Sequence, residues 1–205
     1  VGDMASIETI FSFKNLLKKI GSNNFDFREK KFYIDPTEKT NYIFNSSIQS
    51  IDESDLVILI GTNPRHEATM VNARIRKAFV KNKIPVYSVG NPGDLTYDYT
   101  LLGDDVNDIK NIFDEKSEIN KKLKNAKKPI FIIGESVLEL KNSKYILEKI
   151  KDFLIENNFI NETWNALNIL TQNASTVGAI DLGFYNIDKN NNFIFFDKLK
   201  NKEFK

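Results

Sequence analysis

No cysteine occurs anywhere in the chain, and histidine occurs once, at His66. The first absence removes disulfides, zinc ribbons, iron–sulfur ligation and thiol nucleophiles from these 205 residues. The second excludes a histidine-based triad standing beside a separate histidine metal site. No apolar run approaches the roughly 18 residues that a membrane-spanning helix needs, and Val1-Gly-Asp-Met4 has neither the basic start nor the apolar stretch of a signal peptide. A soluble, cytosolic chain is expected. Excess charge is missing as well: 29 basic against 28 acidic residues give a formal charge of +1, with no general drive toward nucleic acid or an acidic membrane.

What is present is enough apolar material for a real core, 41% of residues, in a length that suits one large domain or two small ones. The most informative stretch is Leu56-Val-Ile-Leu-Ile60, then Gly61-Thr-Asn-Pro64, then an amphipathic run over residues 69–80. An unbroken apolar run ended by Gly and Pro and followed by helical periodicity describes a buried parallel strand feeding a crossover helix. Met70, Val71, Ile75, Ala78 and Phe79 share one face of that helix, and the next strand falls at residues 85–89, which completes a right-handed βαβ unit. Pro129-Ile-Phe-Ile-Ile-Gly134 repeats the strand-then-Gly pattern, with Ile146, Leu147, Ile150, Phe153 and Leu154 on its helix. Two such units predict an open α/β sheet, mainly parallel, with helices on both faces.

Elsewhere the pattern predicts a core-facing helix capped by Ser6, carrying Ile7, Ile10, Phe11, Leu17 and Ile20 and closed by Gly21. It also predicts a loop over residues 23–31, a short strand at 32–34, a short helix within 41–50 and an amphipathic turn or two bearing Val106, Ile109, Ile112 and Phe113. A helix over 164–180, a last strand at 193–196 and a charged tail over 198–205 complete the reading. Asn190-Asn-Asn192 reads as coding bias. Val1-Gly-Asp3 reads as the exit of a strand lying upstream, so the chain is expected to be one segment, 1–205, of something longer, with 1–127 and 128–205 as candidate sub-units.

The turn after the first strand is where such sheets bind ligands, because the following helix presents unpaired N–H groups there. Gly61 is therefore either part of a nucleotide cradle or a structural turn. No G-x-G-x-x-G or G-x-x-x-x-G-K-[ST] is present, and Gly90 and Asn91 stand where an acidic ribose-binding residue is expected, about 20 residues or more on. Arg65, Arg74 and Arg76 can hold a phosphate or an acidic partner; alternatively Arg74 and Arg76 pair with Glu67 or Asp55 on a solvated helix face, while Arg65 lies in the loop over the sheet edge. His66 beside Glu67 can serve acid–base chemistry or be simply solvated. Asp94, Asp98, Asp104 and Asp105 are either a cation site, though without EF-hand spacing, or caps of turns. Trp164 and Asn165 read as core and cap.

Several motifs in order carry a resemblance. Gly61-Thr-Asn-Pro-Arg65 with Glu67-Ala68, Asn72-Ala-Arg-Ile-Arg-Lys77, Asp94-Leu-Thr-Tyr97 with Leu102-Gly-Asp104, and Ala179-Ile-Asp-Leu-Gly-Phe184, after an opening Gly2-Asp3 with Glu8 and Lys14, resemble the G-subunit family of NADH-quinone oxidoreductase, respiratory complex I. The resemblance spans nearly the whole chain. It implies a molybdopterin oxidoreductase-like, Rossmann-related domain akin to formate dehydrogenases and nitrate reductases, in which a similar G-x-N-P loop lies by the pterin nucleotide. Carried over, Gly61, Asn63, Pro64 and Arg65 are the remnants of that cradle. The chain departs from the cofactor-binding pattern at Thr69, where relatives have a His-Pro pair, and at Gly90-Asn-Pro-Gly93.

The expectation is then a structural, cofactor-free segment, with no catalytic residue, no metal and a vestigial cradle. It supports electron transfer from NADH to quinone by packing against other peripheral-arm subunits. Iron–sulfur clusters are expected upstream in the parent chain. Neither nucleic acid nor direct membrane insertion is expected, and the place is peripheral, at the cytoplasmic face of the membrane. The rival is a binding module retaining a nucleotide, pterin or anion site at residues 61–65. An independent NAD-dependent enzyme would need a catalytic constellation that the sequence does not display.

Overall fold

A computed structural model describes residue 2 and residues 4–188 and 193–203. Val1, Asp3, the Asn190–Asn192 stretch and the last two residues of the charged tail lie outside the described residues, as does the expected strand exit at Val1–Asp3. The strands are β1 (Leu56–Ile60), β2 (Val86–Val89), β3 (Thr100–Gly103), β4 (Pro129–Gly134) and β5 (Leu167–Leu170). The α-helices are α1 (Ile7–Lys19), α2 (Pro64–Glu67), α3 (Thr69–Asn82), α4 (Lys110–Phe113), α5 (Glu118–Asn125), α6 (Glu135–Leu138), α7 (Ser143–Glu156), α8 (Thr176–Asp181) and α9 (Phe195–Lys200). None of them is long and apolar enough to cross a membrane.

All five strands run parallel in the order β3-β2-β1-β4-β5. Every residue of β1, β2 and β4 is buried, as strands covered on both faces must be, which is why their sequences are continuous apolar runs rather than alternations. Leu56 lies opposite Pro129 and Ile60 opposite Ile133, so the two sequence units that end in Gly61 and Gly134 sit side by side in register. From β1 the chain moves one way to β2, and from β4 the other way to β5. Right-handed crossovers in opposite directions place α3 and α7 on opposite faces and open a crevice at the carboxyl ends of β1 and β4.

The chain divides into two compact units, Ile43–Leu170, which holds the sheet, and Val1–Tyr42 with Thr171–Lys205. The division does not fall at 127/128, because β4 lies directly beside β1 in the middle of the sheet. Five local expectations also give way. Residues 164–180 are not one helix: Ala166, Leu167 and Ile169 are buried in β5 or at its start, and the wholly buried Asn168 is held by Ser46, whose backbone N–H donates to Asn168 Oδ1 at 2.7 Å. Burial on both faces hid the strand's alternation. Residues 41–50 form no α-helix; Phe44 instead bridges antiparallel to Asn168 and covers the outer edge of β5. Phe32 and Ile34 are buried, but residues 32–34 have no ladder partner, and the Phe32 carbonyl accepts from Arg28 Nη1 at 2.8 Å. Phe193 makes a single bridge to Ile187, and α9 begins two residues later.

The fifth concerns α1. Ser6 caps it as expected, accepting from the Thr9 N–H, and the Ser22 N–H closes its far end on the Leu17 carbonyl. Its face does not point into a core, however. Ile10 alone is buried, while Ile7, Phe11 and Ile20 stand exposed. In the same unit Arg28 and Asp26 form a buried ion pair at 2.7 Å, with the guanidinium 4.0 Å from the centre of the Phe193 ring.

Candidate functional site

Three turns meet at the crevice: residues 61–67 after β1, 90–92 after β2, and 134–136 after β4. Two glycines allow them to meet. A Cβ on Gly134 would lie 2.2 Å from the Gly61 carbonyl oxygen and 2.7 Å from Thr62 Cβ, and one on Gly61, whose φ is +56°, would lie 2.5 Å from Val137 Cγ2. The turns after β1 and β4 therefore approach too closely for a side chain at either glycine. What remains beside them is an open cavity of about 290 Å³ lined by Gly61, Thr62, Asn63, Glu67, Pro92 and Ser136 among others.

The side chains of the loop after β1 bond to one another and to the neighbouring turns. Pro64 opens α2 at its first helical position, and Asn63 caps it, its Oδ1 accepting from the N–H groups of Arg65 at 3.1 Å and His66 at 3.3 Å. Asn63 Nδ2 donates to the Pro92 carbonyl at 2.6 Å and ties the first turn to the second. The Glu67 carboxylate turns back on the same loop, accepting from Thr62 Oγ1 at 2.8 Å and from the Asn63 N–H at 3.0 Å. Ser136 Oγ donates to the Gly61 carbonyl. The Thr62 and Ser136 hydroxyls, the Asn63 amide and the N–H groups of Asn63, Arg65 and His66 thus bond to the chain's own oxygens, and one of those oxygens is a carboxylate.

The three arginines part company. Arg65 turns outward to Asp94, bonding its carbonyl at 3.0 Å and its carboxylate. Asp94 is held below the ordinary carboxylate range first by the Thr96 N–H and then by the Arg65 guanidinium. Arg74 pairs with Asp52 at 2.9 Å, beside Lys77 at 2.7 Å, and not with Glu67 or Asp55. Arg76 donates from Nε to the Thr96 carbonyl at 3.3 Å. His66 is exposed on α2. Asp105 caps a 3₁₀ turn in a reciprocal box with Asp108, which accounts for it as a turn residue; Asp104 borders a second hollow near Gly61 and Gly90. Among the described residues no three His, Cys, Asp or Glu side chains gather as a metal site. Trp164 is a core residue, its indole N–H donating to the Pro129 carbonyl at 2.9 Å, and Asn165 caps its own turn through the Leu167 N–H.

The molybdopterin oxidoreductase profile matches residues 1–202. The chain belongs to that family. Among curated relatives of this molybdopterin oxidoreductase domain, it is 38% identical over 196 residues to the 75 kDa subunit of NADH-ubiquinone oxidoreductase of Reclinomonas americana, a match covering 89% of the chain and 28% of the relative. It is 35% identical over 211 residues to the mitochondrial 78 kDa subunit of Candida albicans, covering 98% and 29%. It is also 35% identical over 183 residues to the G-subunit of NADH-quinone oxidoreductase of Rickettsia conorii, covering 89% and 27%. The chain thus spans less than a third of the length of these relatives.

The motifs that carry the likeness prove to be partners in this molybdopterin oxidoreductase domain. Asn72 donates to the Leu95 carbonyl at 3.1 Å and accepts from the Tyr97 hydroxyl at 2.8 Å, so the motif on α3, the turn after β1 and the 94–97 stretch interlock through Asn72, Arg65 and Arg76. Together they strap the loop after β2, including Thr96 with its unusual φ of +70°, to α2 and α3. In the other unit, Asp181 of the Ala179–Phe184 motif accepts from Tyr42 at 2.7 Å and Lys39 at 2.9 Å, and Phe184 is buried against Phe25. Sequence reasoning missed Glu67 as a cap, Asn72 and Tyr97 as a buried pair, and Ser136. The i, i+4 spacing of Asn63 and Glu67 at a Pro-opened helix start, one residue longer than the usual capping box, was the available signal.

Proposed function

We propose that this chain is a structural, cofactor-free segment of a G-subunit-type protein of NADH-quinone oxidoreductase. In this reading it holds the shape against which other peripheral-arm subunits pack and supports electron transfer from NADH to quinone without performing a step itself. The observation that supports it is the self-satisfied crevice: Asn63, Glu67, Thr62 and Ser136 spend their hydrogen bonds on one another and on the backbone, where a nucleotide phosphate would need them free. Iron–sulfur clusters belong to another part of a longer chain, since these residues supply no cysteine. The segment is a peripheral, non-spanning part of the assembly.

The rival reading, a module that still binds a nucleotide, pterin or anion at Gly61, Asn63, Pro64 and Arg65, draws on the cavity of about 290 Å³ that persists there. Acid denaturation of the purified full-length protein separates the two. No fluorescent pterin and no guanine nucleotide should be released in proportion to protein. Stoichiometric release of either establishes the rival.

A further inference from the structure

Phe13, Leu16 and Ile20 follow one another at spacings of three and four along one flank of α1, each about half exposed or more, at 45%, 54% and 69%. Ile7 and Phe11 stand exposed on the other flank, with Met4 just before the helix. Apolar residues over so wide an arc mark a helix covered from more than one side, whereas within its unit α1 rests chiefly on α8, with Ile10 beneath it and the Phe13 ring 6.2 Å from that of Phe184. No strand occurs in that unit among the described residues, so the helix has no sheet to lie on.

We propose that the exposed flank of α1 is a docking surface for a further stretch of the same polypeptide that presents an apolar layer, in a chain as long as its relatives. Three observations select that occupant. The relatives run to more than three times the span matched here, so ample chain exists in proteins of this kind to supply the layer. The flank is made of Phe, Leu and Ile with no Trp, Tyr or Arg, the three residues in which the hot spots of separable protein interfaces concentrate. A membrane surface suits it poorly, because Glu8, Thr9 and Ser12 share its groove with Phe13 and Leu16.

The test uses the full-length protein in the assembled oxidoreductase, with the photo-reactive residue benzoylphenylalanine placed at Phe13, at Ile20 and, as a control on the polar side, at Asn15. Cross-linked peptides from outside residues 1–205 of the same chain, obtained from Phe13 and Ile20 and at least tenfold weaker from Asn15, support the proposal. Cross-links to another subunit, to a second copy or to lipid overturn it, and so does the absence of any cross-link from Phe13 and Ile20. An intact mass showing that the mature chain is no longer than these residues overturns it as well. The outcome is independent of the crevice: released pterin would sink the cofactor-free reading and leave this one standing.

Discussion

The Tyr97 hydroxyl donates to Asn72 Oδ1 across 2.8 Å in the interior of the sheet-bearing unit, with Tyr97 9% and Asn72 6% exposed. The other end of the Asn72 amide is already committed to the Leu95 carbonyl. One side chain on α3 thus holds the loop after β2 at two points.

Removing the hydroxyl leaves a buried carbonyl without its donor, which costs about 1–3 kcal/mol because the desolvation is not recovered. Tyr97→Phe should lower stability in that range, read from the midpoint of chemical denaturation. Amide exchange should quicken in residues 90–97 before it does in β1 or β4. An unchanged midpoint would mean that the strap contributes nothing.

The other unit holds a buried ion pair. Asp26 and Arg28 show side-chain exposures of 1% and 2%, and Arg28 also donates to the Phe32 carbonyl. Breaking such a pair from one side strands a charge in a low-dielectric interior. Arg28→Met should therefore cost about 3–5 kcal/mol, and the double replacement Asp26→Asn with Arg28→Met should recover part of it. If the single change is tolerated within the error of a melting curve, the pair carries no weight in the fold.

Asp181 supplies a dependence on pH. Its carboxyl is held below the usual range by Lys39 first and Tyr42 second. A depressed folded-state pKa contributes stability that is complete above the unfolded value of about 3.9 and disappears as pH falls through the folded one. Tyr42 works at the other limb: burial and its bond to Asp181 push the phenol up, so its contribution is present below about pH 10 and is lost as pH climbs through the raised value. With Lys39 61% exposed and Asp181 33% exposed, solvent screening keeps the ion-pair part to about 1 kcal/mol or less. Asp181→Asn should flatten the acid limb of a melting-temperature profile below about pH 4 while changing the neutral plateau little. An acid limb identical to that of the wild type would show that other carboxylates carry it.

The central strands were legible because burial on both faces writes a continuous apolar run, and β1, β2 and β4 fell within one residue of expectation. Short edge elements carry no such signature. β3 has only four residues, two of them exposed, and β5 contains a buried asparagine whose partner, Ser46, lies 122 residues away in sequence. The ordered motifs identified the family, yet their roles as mutual partners could not be read from spacing, since Asn72 and Tyr97 meet only because the loop after β2 folds back over α3. Exposure of α1 was equally hidden: an apolar stripe looks the same in sequence whether its own unit covers it or something else does.

At the crevice the two readings of the loop after β1 differ in sign. Glu67 accepts from the Thr62 hydroxyl and the Asn63 N–H, so Glu67→Ala leaves both donors seeking partners and should cost about 1–2 kcal/mol, with Glu67→Gln intermediate. If the loop is a structural turn, millimolar phosphate or GMP should leave the melting of the unaltered protein where it was. Arg65→Ala, which removes the largely exposed tie to the Asp94 carboxylate and carbonyl, should lower stability slightly and leave the response to anions unchanged. If the loop is a working anion site, a ligand at a hundred times its Kd would add about 2.7 kcal/mol, far above the noise of such a measurement. Arg65→Ala would then abolish that gain. A clear upward shift with GMP in the unaltered protein therefore ends the structural reading of Gly61, Asn63, Pro64 and Arg65, and its absence, together with a destabilised Glu67→Ala, shows the carboxylate serving the loop as its own internal anion.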